Sequence, residues 1–553
     1  MKYAFAFLIT FALMAFSHSN SNSAATTTTT TIPAKPKLVV GIVIDQMRFD
    51  YVYRFWDKFG TDGFKKLVNQ GYNCRDVNYN YVPTFTGPGH TSIYTGSTPS
   101  TSGIIANTWY DKSSGKGVYC VQDSAYKGVG GESVENQCSP QRCLVTTIGD
   151  QLRLANNKQS RVIGIALKDR GAILPAGHTA NAAYWYDGTN GNWVTSTYYM
   201  KELPKWVNDF NAKGLPKTYL SQQWNSLLPI EQYTESQPDS NKYEGLFTGE
   251  TKPCFPHDLP KLMDANGKLD LIRTTPFGNS LTEDFAEATL TAEQLGKGTQ
   301  TDMLCVSFSS TDYIGHKFGP QSAEIEDCYL RLDHELADFF KFLDTYIGKN
   351  NVVVFLTADH GVVETPQYLK DMNIPAGYFN ENKCVDSLKK VMKAKYGDTL
   401  VLNYSNDQVF LDHKTMDKKG LKRMEIENEV ADFFMGFKGV EATTTECDLT
   451  CTQFTEAPKK LVQNGYNFKR SGDVCIILEP GWFGEWGRKT GTTHGASWSY
   501  DTHVPLYWWG WKVKNGSSDA AQNITDIAPT VCMMLNIQFP DGCSGTPIQG
   551  LTK

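Results

Sequence analysis

Cys-x-x-Cys pairs are absent from this 553-residue chain, and so is any excess of basic over acidic residues. The first absence leaves little support for a thiolate zinc site. The second, a net charge of −6, argues against a nucleic-acid binder, whose footprint is a clustered basic face. Beyond the N-terminus no apolar run approaches the ~20 residues of a membrane-spanning helix. No internal repeat marks a solenoid or propeller. The remainder, 40% apolar and 20% charged residues, is the composition of an ordinary globular enzyme or binding protein. Any attraction for an anion must therefore come from a few local cations or bound metal ions.

The first residues read as a targeting segment. Lys2 precedes an apolar run over 3–16, then small polar residues up to Ala25. The run is the length of a signal-peptide core, so 1–25 is expected to direct export to the periplasm or the medium. Residues 26–36, a threonine tract followed by Pro33 and Pro36, read as a spacer. The catalytic part is then 37–553. Thirteen cysteines suit an oxidising compartment, although the odd number leaves at least one thiol unpaired. Cys138 with Cys143, and Cys447 with Cys451, are expected to form short-loop disulfides. Cys305, inside an apolar run, is expected to be a buried free thiol.

Four short apolar runs rich in β-branched residues, over 37–44, 161–167, 303–308 and 352–356, read as buried parallel strands. A helical apolar period runs over 325–346. This alternation predicts an α/β fold, a mostly parallel sheet with helices on both faces. Aromatic, proline- and glycine-rich stretches near 172–300 and 365–481 read as insertions forming a cap. Their aromatic residues, among them Trp193, Tyr198, Tyr199, Trp206 and Trp224, are expected to pack together rather than line an entrance.

Three of the strands run directly into aspartates. Asp45 follows the first, Asp312 the third, and Asp359-His360-Gly361 the fourth. Ligands of parallel sheets bind beyond these carboxyl ends. His316 lies four residues after Asp312, within reach of the same ion if a helix starts there. His494 lies in a late loop between Gly491 and Gly495. Three Asp and three His favour zinc, with manganese second. Thr86, before Gly87-Pro88-Gly89, stands where a helix begins. It reads either as a helix cap or as a hydroxyl nucleophile activated by the helix terminus and a metal. Lys168 and Arg170, at the end of the second strand, are expected to point together at an anion. Together these residues are the inventory for two-metal hydrolysis of a phosphate ester.

Thr-x-Pro after a strand-end Asp, then Asp-x-x-x-His, Asp-His-Gly and a late His-Gly, resembles the alkaline phosphatase superfamily. The resemblance is strongest to its PafA-type broad-specificity phosphatases and extends over nearly all of the chain after the signal. It implies an alkaline-phosphatase-like core, and one zinc on Asp312, His316 and His494. A second zinc would lie on Asp45, Asp359 and His360, with Thr86 as its further ligand and as the nucleophile. It also implies that Asn107, Lys168 and Arg170 bind the phosphoryl group, with Lys168 standing where some relatives hold magnesium. The reaction implied is hydrolysis of small phosphate monoesters by a monomer, in two in-line displacements through a phosphothreonine. A phosphodiesterase or nucleotide pyrophosphatase of the same superfamily is the nearest alternative. A metal-stabilised binding protein without activity is a more distant one. A sulfatase would need a Cys or Ser where Thr86 stands.

Overall fold

A computed structural model describes residues 34–131, 133–485 and 489–552 of the chain. The expected signal segment 1–25 and nearly all of the spacer lie outside the described residues.

The four expected strands form the centre of one sheet: β1 (Leu38–Ile44), β2 (Val162–Ala166), β4 (Asp302–Phe308) and β5 (Val352–Thr357). Every residue of each is buried, which is why their sequences run apolar instead of alternating. β3 (Ala182–Asp187) adds to β2 in parallel, and β6 (Leu506–Gly510) pairs antiparallel with β5. The order is β6-β5-β1-β4-β2-β3, extended at each edge by two shorter strands into ten. The interior is parallel and antiparallel pairs flank it on both sides, while the outermost pair at one edge, Gly516–Ser518 on Tyr72–Cys74, is parallel again. Helices flank the sheet. α2 (Asp169–Ala176) and the helix Phe277–Ala292 both pack on β2 and β4.

The sheet extends further than the sequence reading placed it. β3 and its antiparallel neighbour Asn192–Ser196 fall inside the stretch assigned to the first insertion. Their aromatic side chains hid a strand pattern, because Tyr184, Trp185 and Trp193 are themselves core. Trp193 stacks on Phe285 with ring centroids 4.3 Å apart, and Trp224 is fully buried, so both are packing residues. The second stretch carries a sheet of its own, Val401–Ser405, Gln408–Leu411, Val474–Leu478 and Val440–Thr445 in that spatial order. It has a separate core around Leu388, Met392, Val409, Val430 and Phe434. This lobe is tied to the main body by Asn467 Nδ2 on Ser100 O and Arg470 Nη1 on Arg142 O, both 2.8 Å.

All thirteen cysteines are free thiols, which corrects the expected pairings. Cys138 turns its sulfur to Glu135 O and Cys143 to Val145 O, so the two do not face each other. Cys447 and Cys451, a helical turn apart, hold their sulfurs 3.7 Å from one another without a bond. Cys305 is the buried thiol expected.

Candidate active site

The carboxyl ends of β1, β4 and β5 bring Asp45, Asp312 and Asp359 together. Asp45 is the residue after β1 and is fully buried, as are Asp359 and His360 after β5. Gly361 lets the chain leave β5, since a Cβ there would sit 2.1 Å from Tyr500 O. α3 (Ser310–Phe318) begins just after β4 and carries Asp312 and His316 one turn apart. His316 Nε2 lies 3.2 Å, and His494 Nε2 3.6 Å, from the same Asp312 Oδ1. His360 Nε2 lies 3.6 Å from Asp45 Oδ1 and 3.4 Å from Asp359 Oδ2.

Each of the three imidazoles is oriented alike. Nδ1 of His316 faces Thr492 O, that of His360 faces Gly361 O, and that of His494 faces Thr84 O, at 2.8, 3.0 and 2.7 Å. A proton held on Nδ1 leaves Nε2 as a free donor directed inward, the arrangement of ligating histidines. The rings of His360 and His494 stack 3.4 Å apart. Burial lowers the pKa of both, with His360 further lowering that of His494, so both stay in the neutral form that binds metal.

Asp45 Oδ1, Asp359 Oδ2 and His360 Nε2 are buried with no hydrogen-bond partner. Buried acceptors left orphaned in this way are costly unless something else, such as a cation, satisfies their lone pairs. Two carboxylate oxygens and an imidazole nitrogen suit a borderline divalent cation such as zinc. Two groups of donors lie close enough to share an ion: Asp45, Asp359 and His360, and Asp312, His360 and His494. The first matches the expected set. In the second His360 stands where His316 was expected, although His316 shares Asp312 Oδ1 with His494.

Thr86 opens the buried helix α1 (Thr86–Thr95) at its first helical position, and the cap is Phe85 with no side-chain cap bond. Thr86 therefore does not act as the cap. His90 couples this turn to the donors, its Nδ1 lying 2.9 Å from Thr86 O and 3.3 Å from Asp359 Oδ2. Gly89 permits the approach, because a Cβ there would meet Asp359 O at 2.3 Å. Asn107 Oδ1 accepts the Gly87 N–H at 2.7 Å. The amide NH₂ thus points away, free to donate.

Lys168 and Arg170 are not the two strand-end residues expected. β2 ends at Ala166, Lys168 caps α2, and Arg170 lies in its first turn. Lys168 Nζ sits between Asp45 Oδ2 at 2.7 Å and Asp312 Oδ2 at 2.5 Å. Burial lowers its pKa, but Asp312 and Asp45 more than offset this, so the ammonium is held charged. Arg170 Nη1 donates to Tyr119 Oη at 2.9 Å, and that hydroxyl donates to Asp169 Oδ1 at 2.5 Å. Lys168 and Arg170 both line a cavity of about 560 Å³ with Tyr119, Tyr313 and Arg273.

Three participants had no signal in the sequence. Gln46 binds Asp312 Oδ1 through Nε2 at 2.7 Å and Asp359 Oδ1 through its backbone N–H at 3.1 Å. His90 is fully buried between α1 and Ser307 Oγ. Asp501 Oδ2 accepts the N–H groups of Gly495 and Ala496 at 2.8 and 2.7 Å and so shapes the loop that carries His494.

The sequence profile of the family described as type I phosphodiesterase / nucleotide pyrophosphatase matches residues 39–500. The chain is 47% identical to alkaline phosphatase PafA of Elizabethkingia meningoseptica, over 93% of this chain and 94% of that one. The chain belongs to this family, among its PafA-like alkaline phosphatases. A crystal structure of wild-type PafA superposes with a TM-score of 0.91 at 46% identity, covering 95% of this chain and 100% of the other. A relative from Myroides odoratus named a calcium-transporting ATPase is likewise 47% identical, over 93% of this chain and 94% of its own length. The α/β architecture and the central sheet are those of the PafA-like fold.

Proposed function

We propose that the chain is an exported, broad-specificity alkaline phosphatase that hydrolyses small phosphate monoesters to an alcohol and inorganic phosphate. The observation that carries this reading is the set of orphaned buried donors, Asp45 Oδ1, Asp359 Oδ2 and His360 Nε2, one imidazole away from the helix start that bears Thr86. Two zinc ions fit the donors. Asp312, His316 and His494 would hold one, and Asp45, Asp359, His360 and the Thr86 hydroxyl the other. When bound, such ions lower the pKa of a hydroxyl and neutralise charge on phosphoryl oxygens.

The chain's own residues do the rest. Thr86 gives its hydroxyl proton to solvent water and attacks phosphorus, its oxyanion favoured by the N-terminus of α1. Asn107 donates its free NH₂ to a phosphoryl oxygen. Arg170 offers a fork to two such oxygens. Lys168 compensates Asp45 and Asp312, the place where other members of the superfamily hold a magnesium ion. The ester oxygen departs in line as its bond to phosphorus breaks and takes a proton from water to become the alcohol. A water then displaces the Thr86 oxygen in line and reprotonates it, so two inversions retain the configuration at phosphorus.

The family profile's own description makes diester or pyrophosphate cleavage the second reading. The concentration of positive charge at Lys168 and Arg170 favours a dianionic monoester over a singly charged diester. Rates on a mono-aryl and a bis-aryl phosphate, measured on purified enzyme, separate the two. Faster cleavage of the diester overturns the monoesterase reading. The ATPase in the name of the Myroides odoratus relative describes removal of a phosphoryl group, which this site fits. No helix among the described residues is long and apolar enough to cross a membrane.

A further inference from the structure

A second cluster of metal-ligating side chains lies in the auxiliary lobe. His413 opens the helix His413–Lys418, Asp473 precedes the strand Val474–Leu478, and Glu446 opens the helix Glu446–Cys451. One donor atom from each lies within 4.8 Å of the others. His413 Nε2 is 2.7 Å from Asp473 Oδ1. Ligands about 2 Å from a tetrahedral zinc stand about 3.3 Å from each other, so the three atoms need only small shifts to surround an ion. Asp473 is already fixed for this, because its Oδ2 accepts the Leu411 N–H at 2.6 Å.

The cluster also carries a conflict that a cation resolves. Glu446 and Asp473 each bring a carboxylate oxygen within 4.8 Å of the other, so the two negative charges repel. Glu427 adds a third, buried carboxyl whose charge Asp473 and Glu446 both oppose. The compensating charge is Lys112, whose Nζ lies 3.8 Å from Asp473 Oδ1. It reaches across from the turn of the hairpin Thr108–Asp111 and Lys116–Tyr119, which directly follows Asn107.

We propose that His413, Glu446 and Asp473 form a divalent transition-metal site in the auxiliary lobe, for which the Lys112 ammonium competes. One imidazole and two carboxylates suit Zn²⁺, with Mn²⁺ bound more weakly. His413 and Glu446 are partly open to solvent, so ions have access and water completes the shell. Metal entry releases Lys112 and with it a tether between the lobe and the Asn107 hairpin.

Equilibrium dialysis of the full chain against Zn²⁺, with elemental analysis, tests this. Wild type should retain one equivalent more than His413→Gln and one more than Glu446→Gln. The difference counts the lobe site alone, whatever the occupancy of the catalytic donors. Glu446 is only half-buried, so its variant serves if His413→Gln does not fold. Lys112→Ala should tighten the extra equivalent by about tenfold. Equal zinc content in wild type and Glu446→Gln, or an affinity unaffected by Lys112→Ala, overturns the proposal.

Discussion

Thr86 is a buried hydroxyl at the first position of a helix whose cap lies one residue earlier, so its side chain is not occupied in capping. Thr86→Ala should lower turnover by a factor on the order of 10⁴ to 10⁶ with little change in zinc content. Retention of wild-type turnover would remove Thr86 as nucleophile. Lys168→Ala and Arg170→Ala should each cost at least about tenfold more on a monoester than on a diester, because a dianion gains more from each cation. Steady-state rates on the two substrate types read this directly, and equal losses count against the monoester reading. Most of the site is legible at this scale, because metal ligands come from few residue types. Gln46 is one of the three exceptions, with His90 and Asp501. It occupies a left-handed conformation, φ 64°, that turns its amide onto Asp312, and a backbone angle leaves no mark in the sequence around it.

At the scale of elements, the loop that presents His494 depends on Asp501. Asp501→Ala leaves the N–H groups of Gly495 and Ala496 without their acceptor. It should weaken zinc retention by about 10- to 100-fold, whereas Asp501→Asn, which keeps an accepting oxygen, should lose much less. Zinc content after dialysis measures both. Away from the site, Asp150 closes the capping box of the helix Ile148–Ala155 and also meets His178 Nδ1 at 3.2 Å. Burial lowers the His178 pKa, but Asp150 outweighs it, so the net shift is upward. A raised folded-state pKa gives stabilisation that is complete below the ordinary His value of about 6.5 and lost as pH rises through the folded value. The melting temperature of His178→Asn should therefore fall furthest below wild type at mildly acidic pH and approach it at alkaline pH. A gap independent of pH refutes the assignment. The central strands were legible because burial on both faces makes their sequences continuous apolar runs. The auxiliary sheet was not, since its edge strand Val401–Ser405 is only half-buried and mixes Asn403 and Ser405 with apolar residues, giving no continuous apolar run.

Across the whole molecule, the orphaned donors at the strand ends link stability to metal. Stripping the protein with a chelator leaves several buried carboxylates facing one another with Lys168 as the cation between two of them. A ligand present at about 100 times its dissociation constant adds about 2.7 kcal/mol to the folded state. Chelation should therefore lower the melting temperature by several degrees, and zinc should restore it. An unchanged melting curve would mean that the donors are satisfied without metal.

The donors are drawn from opposite ends of the chain, Asp45 just after the first strand of the sheet and His494 shortly before β6. A polypeptide emerges from the ribosome N-terminus first, so the opening ligand waits for nearly the whole molecule before the final one exists. A chain cut short of residue 494 lacks the last of the set. Asp45, Asp312 and Asp359 meet only where β1, β4 and β5 lie side by side, so a full metal complement would report that the sheet has closed.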